Sequence, residues 1–168
     1  MNEKVKIIAR NGIIAALYVA LTWMTLPLSY GLYQFRLSEV LVLLCFFRKD
    51  YTIGLTIACA ISNVFSPEIG LMDVLIGSAA TLVACLGVCF CKHLAIAAII
   101  PVIANGLIVG AELVVFAGLP EGFWVCAGFV ALGELSVMVV GYVLFFVLRK
   151  RQKFFDLIQA NQNREFKF

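Results

Sequence analysis

Six apolar segments follow one another along the chain, each bounded by charged residues or by glycine and proline. They span residues 7–28, 37–47, 51–65, 71–91, 94–117 and 123–148, and a polar tail covers 149–168. A helix needs roughly 20 residues to cross a bilayer. Segments 37–47 and 51–65 are shorter, and we expect two short helices that their neighbours shield from lipid. The pattern predicts an all-α integral membrane protein, with residues 1–168 forming one domain of six transmembrane helices.

Composition supports a membrane location. Hydrophobic residues make up 63 % of the chain and charged residues 14 %, with a mean hydropathy of +1.03. Soluble domains are about half apolar and about one quarter charged, so a water-soluble fold of this size is excluded. No phosphate-binding loop of the form GxxxxGK[ST] is present. If transport by this chain is driven by ATP, a partner must supply the ATPase.

The distribution of charge predicts the orientation. With a cytoplasmic N-terminus and six crossings, 12 of the 13 basic residues fall on the cytoplasmic side, which leaves only Arg36 outside. Both termini are therefore expected in the cytoplasm. Six acids fall outside or within the membrane: Glu39, Glu68, Asp73, Glu112, Glu121 and Glu134. A site on that side should attract a cation or a neutral molecule rich in hydrogen-bond donors, and should repel an anion.

Cysteine and histidine offer no metal-binding pattern. The six cysteines contain no C-x-x-C pair, and His93 is the single histidine of the chain. We expect the cysteines to be free and to pack as small hydrophobic residues. The sequence therefore predicts neither a metal site nor a cofactor.

Three polar residues lie deep in the last two apolar segments. A carboxylate there costs about 3 kcal/mol on insertion scales, so Glu112 and Glu134 are either ligand-facing acids or acids that fix helix packing. Asn105 precedes Glu112 by seven residues and shares its helix face. Its amide offers donors and an acceptor to a ligand, or it links two helices by hydrogen bonds.

Further polar candidates lie at the starts of other segments. Arg36 and Glu39 have the i, i+3 spacing of an ion pair on a helix, and this structural role is our first expectation for both. Asp73 falls in the first turn of its segment, where an acid interacts favourably with the helix dipole. The aromatic residues of loop 29–36 would form either a lid over a planar ligand or an interfacial belt.

Small residues recur every four positions in the first segment, at Gly12, Ala16 and Ala20. Such a stripe lets two helix backbones approach closely. The spacing fits docking of a partner protein and packing within the bundle equally well. For Gly106 and Gly110 we expect packing within the bundle.

Three ordered motifs resemble one known family. They are FRLSE at 35–39, PVIANGLIVGAEL at 101–113 and ALGE at 131–134. Together they look like the QueT family, the substrate-binding S components of energy-coupling factor (ECF) transporters for queuosine precursors. The resemblance covers nearly the whole chain. The Ala16-x-x-x-Ala20 pair is similar to the alanine motif by which S components dock on the shared transmembrane subunit.

The resemblance implies a fold, partners and a site. An S component is a six-helix protein of the bacterial cell membrane that works with a transmembrane coupling subunit and two ATPase subunits; no nucleic acid is expected to bind. The substrate would be a 7-deazaguanine base, bound near the outer face. The resemblance implies that Glu112, Glu134, Asn105 and Asp73 lie at such a site. Arg36 and Glu39, on the same outer side, are included with them as candidates for substrate binding.

Three other functions are compatible with parts of the sequence. An S component for another vitamin, such as riboflavin or thiamine, would share the fold. A small integral membrane enzyme would need an Asp or His cluster near the cytoplasm, where Asp50 and His93 stand apart. A structural or channel subunit would tolerate the loss of either buried glutamate.

Overall fold

The helices and their connections are described by a computed structural model for residues 2–66, 70–160 and 166–168, so Glu68 and Arg164 lie outside the described residues. Over these ranges the chain is helical and forms no strand. A 3-10 segment, Leu37–Leu43, leads into α3, and a π-helical turn, Asp73–Gly77, leads into α5. The helices are α1 (Glu3–Met24), α2 (Leu26–Ser29), α3 (Leu44–Phe47), α4 (Tyr51–Asn63), α5 (Ser78–Phe90), α6 (Leu94–Val115), α7 (Phe123–Leu148) and α8 (Gln152–Ile158).

Four helices of the described chain are long and apolar enough to cross a membrane: Lys4–Met24, Asp73–Phe90, Leu94–Val115 and Phe123–Leu148. The apolar helices Leu37–Phe47 and Tyr51–Asn63 are shorter. Residues 38–47 are all buried by neighbouring helices, which confirms the predicted shielding there. Irregular backbone at membrane depth is tolerated when protein surrounds it. For α4 the prediction is wrong on one face, because Ile53 is 70 % exposed.

The predicted first segment, 7–28, is two helices. The longer helix ends at Met24, and a separate four-residue helix contains Pro27 near its start. Proline has no N–H to donate inside a helix but fits the first turn of a new one. The break directs the chain into loop 30–36, which returns over the bundle.

The helices α6 and α7 pack tightly because glycine lets their backbones meet. A Cβ atom on Gly110 would lie 2.6 Å from Ala127 Cα, and one on Gly106 would lie 3.1 Å from Ala131 Cβ. The expected packing role of both glycines is confirmed. This close pairing fixes the positions of Asn105 and Glu134 on the facing helices.

The C-terminal tail folds back against one end of the bundle, which we call the tail end; loop 30–36 lies at the opposite, loop end. Phe166 and Phe168 pack against Phe46 and Phe47, and the tail also forms α8. The backbone N–H of Leu94 donates to the carbonyl of Lys167 at 2.8 Å. The prediction of a polar tail is therefore incomplete, since its phenylalanines join the aromatic core.

Candidate functional site

A small cavity lies in the loop-end half of the bundle, between loop 30–36, the 3-10 segment, and the helices α5, α6 and α7. The space that the centre of a water-sized sphere can occupy inside it is about 10 Å³. This is room for about one water molecule. Four of the six predicted binding residues line it. The polar lining residues are Gln34, Arg36, Glu39, Thr81, Asn105 and Glu134.

Glu134 and Asn105 reach this cavity from facing helices. Glu134 is only 2 % exposed, and its Oε1 atom has no hydrogen-bond partner. The Asn105 side chain lies beside the Glu134 carboxylate. A buried polar atom without a partner is rare in native structures and needs an explanation. The pair presents acceptor oxygens and an amide to the same small space, as a ligand with mixed donors and acceptors requires.

Glu39 is the second carboxylate of the cavity, and one of its oxygens is engaged. The Tyr18 hydroxyl donates to Oε1, and the Thr81 hydroxyl lies 3.4 Å from the same atom. The other oxygen, Oε2, is buried and has no hydrogen-bond partner. The whole residue is 1 % exposed. Glu39 thus resembles Glu134 in offering one free acceptor.

Arg36 is the one buried basic residue among those described. The expected ion pair with Glu39 does not form, since the arginine makes other contacts. Its Nε donates to the Ser29 carbonyl at 2.8 Å, and its guanidinium lies 5.0 Å from the centre of the Tyr30 ring. Arg36 precedes the 3-10 segment and has an extended backbone, so the helical i, i+3 spacing on which the prediction relied does not hold here. Arg36 still interacts electrostatically with Glu39, Glu112 and Glu134 at longer range.

Tyr30 fastens the loop to α4. Its hydroxyl donates to the Ser62 carbonyl at 2.7 Å. Burial raises the pKa of Tyr30 above its ordinary value, while the charge of Arg36 lowers it in part. The phenol therefore stays a neutral donor, and the loop keeps this attachment.

Asp73 and Glu112 form a separate acidic pair close to the cavity. Their carboxyl groups lie side by side, and both residues are buried. Ser66 donates a hydrogen bond to Asp73 Oδ2, whereas Glu112 Oε1 has no hydrogen-bond partner. Two carboxylates so placed need a shared proton or a cation between them. Neither belongs to the lining of the cavity that contains Glu134.

Loop 30–36 closes the cavity on the loop end. Gln34 lines it with a φ of 46°, an uncommon value for a residue other than glycine. The Tyr33 ring contacts Phe129 with centroids 4.8 Å apart. The carbonyl of Tyr33 lies directly against Gly133, where a side chain would collide with it. A ligand larger than water can occupy the cavity only if at least one of the elements that line it moves.

The small-residue stripe of α1 faces outward. Gly12, Ala16 and Ala20 are all exposed, and a Cβ atom on Gly12 would meet nothing within 4 Å. A groove of about 540 Å³ runs beside it between α1 and α4. The bundle itself therefore does not use the stripe for packing.

Two polar residues of the site were absent from the sequence prediction: Tyr18 and Gln34. Tyr18 and Thr22 are one turn apart in α1, and this polar pair was the available signal. Both hydroxyls are buried and both contact the 3-10 segment. Within the described residues, no group of three His, Cys, Asp or Glu side chains could hold a metal ion.

Comparison with known proteins places the chain in a family. The family described as "QueT transporter" matches residues 8–150. The "Queuosine precursor transporter QueT" of Lactococcus lactis subsp. cremoris (strain MG1363) is 51 % identical over 75 residues, which is 43 % of each chain. The match thus spans less than half the length of this relative, and no solved structure matches significantly. The chain belongs to the QueT transporter family, which is a family of membrane transporters and not of enzymes.

Proposed function

We propose that this protein is the substrate-binding S component of an ECF transporter and that it captures a queuosine precursor with a 7-deazaguanine base. The observation that carries the proposal is the buried cavity in which Glu134 has an oxygen without a partner beside the amide of Asn105. The name of the Lactococcus relative supports the same cargo.

The chemistry of the base fits these two residues. A guanine-type ring presents an amino group, a ring N–H and a carbonyl along one edge. A carboxylate accepts the two adjacent donors in a bidentate hydrogen bond, and an amide donates to the carbonyl. Glu134 and Asn105 offer this complement in one cavity. We therefore assign the reading of this edge to Glu134, with Asn105 as its partner.

The acidic pair of Asp73 and Glu112 suits a cationic substituent. An aminomethyl group on the base carries an ammonium, and an ammonium between two buried carboxylates would relieve their repulsion. Arg36 is the single buried cation available to them among the described residues. In this proposal, Asp73 and Glu112 hold the ammonium of the substituent, and the positive charge of Arg36 adjusts the electrostatic field of the site.

Membrane orientation follows from the same proposal. We infer six crossings with both termini cytoplasmic, so that the tail end faces the cytoplasm and the loop end faces outward. The basic residues support this, because all except Arg36 then lie on the cytoplasmic side. The cavity would open to the outside of the bacterial cell membrane when loop 30–36 moves.

Uptake would need partner proteins. The stripe of Gly12, Ala16 and Ala20 would dock on the transmembrane coupling subunit, and its exposure supports that role. Two ATPase subunits would supply the energy, since the chain has no nucleotide-binding loop of its own.

A binding screen with the purified protein tests the proposal. Titration calorimetry should show one-to-one binding of 7-aminomethyl-7-deazaguanine or of 7-cyano-7-deazaguanine. Riboflavin, thiamine, biotin and adenine serve as comparison ligands and should not bind. Tight binding of riboflavin or thiamine without binding of any deazaguanine would refute the proposed cargo.

A further inference from the structure

Glu39 has a feature that the proposed function does not use. Its Oε1 accepts from Tyr18, whereas its Oε2 is buried without a partner in the lining of the cavity. Arg36 does not satisfy that oxygen, because the guanidinium is directed to the Ser29 carbonyl and the Tyr30 ring. A buried carboxylate that only fixed packing would be expected to use both oxygens.

Two hydrogen bonds tie α1 to the 3-10 segment that carries Glu39. Thr22 donates to the Ser38 hydroxyl at 2.7 Å, and Tyr18 donates to Glu39 one turn earlier in the helix. Tyr18 and Ser38 are fully buried. These contacts fix the rotation of the Glu39 carboxylate, so that Oε1 is occupied and Oε2 stays free.

Glu134 and Glu39 therefore present two free acceptor oxygens to one cavity from different elements, α7 and the 3-10 segment. Glu134 and Asn105 together complement the amino-pyrimidinone edge of a 7-deazaguanine. Two donors of the base then remain, the second N–H of the amino group and the N–H of the five-membered ring, and the latter points away from the edge that Glu134 would bind. Glu39 Oε2 is the remaining unpartnered acceptor in the cavity lining.

We propose that Glu39 accepts a hydrogen bond from the five-membered-ring N–H of the ligand, and that Tyr18 is the positioning residue that orients Glu39 for this contact. The inference rests on the proposed function and adds a specificity to it. A nucleoside carries its sugar on that ring nitrogen and lacks the N–H, so the site selects the free base.

The test compares two ligands that differ in this single donor. One is 7-deazaguanine, and the other is its isosteric furo-pyrimidine analogue, in which an oxygen replaces the ring N–H. Each is titrated against wild-type protein, Glu39→Gln and Tyr18→Phe by calorimetry. The matched control is Tyr51→Phe, which removes a buried tyrosine hydroxyl that donates to the Ile158 carbonyl at the tail end.

Wild-type protein should bind the base at least about tenfold more tightly than the furo analogue, because a charge-assisted hydrogen bond is lost. In Glu39→Gln this preference should fall to about threefold or less, with an intermediate value in Tyr18→Phe. Tyr51→Phe should keep the wild-type preference. A purely structural role for Glu39 predicts equal weakening of both ligands.

Each result decides the matter. Equal losses for both ligands in Glu39→Gln, or an unchanged preference, would overturn the assignment while wild-type binding still upheld the proposed function. Binding of 7-deazaguanosine as tightly as the free base would also overturn it. Wild-type protein that bound no deazaguanine would refute the proposed function together with this inference.

Discussion

Replacing Glu134 by glutamine separates ligand recognition from helix packing. The substitution keeps the shape of the side chain and removes its charge. In the proposed site, Glu134 accepts from two adjacent N–H groups of the base, and glutamine can accept from only one while its own N–H₂ faces the other. A charge-assisted hydrogen bond contributes about 1.5–3 kcal/mol and a neutral one about 1 kcal/mol. Exchanging two charge-assisted hydrogen bonds for one neutral bond therefore loses at least about 1.4 kcal/mol of binding free energy, which weakens affinity at least tenfold.

The unliganded protein should respond in the opposite direction. Glu134 is 2 % exposed and has one unsatisfied oxygen, and a buried carboxylate at this depth costs about 3 kcal/mol on insertion scales. Glutamine lowers that cost. We therefore expect Glu134→Gln to unfold at the same temperature as the wild type or at a higher one when no ligand is present. A site that sacrifices stability for function behaves in this way.

The assay combines calorimetric titration of 7-aminomethyl-7-deazaguanine with thermal unfolding in detergent. The matched control is Glu121→Gln, which changes an exposed glutamate between α6 and α7 and should alter neither quantity. An affinity of Glu134→Gln within twofold of the wild type would refute the assigned role. A lower unfolding temperature of the unliganded variant would show instead that Glu134 stabilises the bundle.

Three further changes address the docking surface, the loop and the tail. Ala16→Trp together with Ala20→Trp should leave ligand affinity unchanged and abolish uptake in cells that contain the ATPase and coupling subunits; retained uptake would contradict docking at this stripe. Gly133→Ala places a methyl group against the carbonyl of Tyr33 and should displace loop 30–36. Stopped-flow measurements should then show a ligand dissociation rate that is several-fold higher. An unchanged rate would contradict the closing role of the loop. Deleting the last three residues removes two aromatic contacts with Phe47. Unfolding measurements should then show a fold destabilised by about 1–3 kcal/mol, and binding measurements should show unchanged ligand affinity. Equal stability would mean that the tail does not support the bundle.

Hydrophobic pattern predicted the helices well where each one is long and uniformly apolar. The segment 123–148 matches α7 at both ends, because Glu134 is its single charged residue and no proline interrupts the apolar run. The pattern could not reveal that Leu37–Leu43 is a 3-10 segment. Periodicity is weak in a segment that is buried on all sides, since its apolar and polar residues do not divide into an inner and an outer face. The tail is rich in charged residues, so its pattern did not predict that its four phenylalanines pack on the aromatic core.

For the site, depth in the membrane was the useful signal. A carboxylate or amide within an apolar segment is costly, so Glu134 and Asn105 could be singled out before their neighbours were known. The sequence could not pair them with the right partners. Glu39 was expected beside Arg36 from its spacing, yet its actual contacts come from α1 and α5. Contacts between distant segments depend on helix rotation, which one sequence does not specify.

A structure of the protein with bound 7-aminomethyl-7-deazaguanine tests the central claim most directly. The account predicts the base in the loop-end cavity, with its amino group and ring N–H within about 2.7–3.2 Å of the Glu134 carboxylate oxygens and with loop 30–36 moved outward to make room. A base bound elsewhere, with Glu134 still unpartnered, would contradict the account.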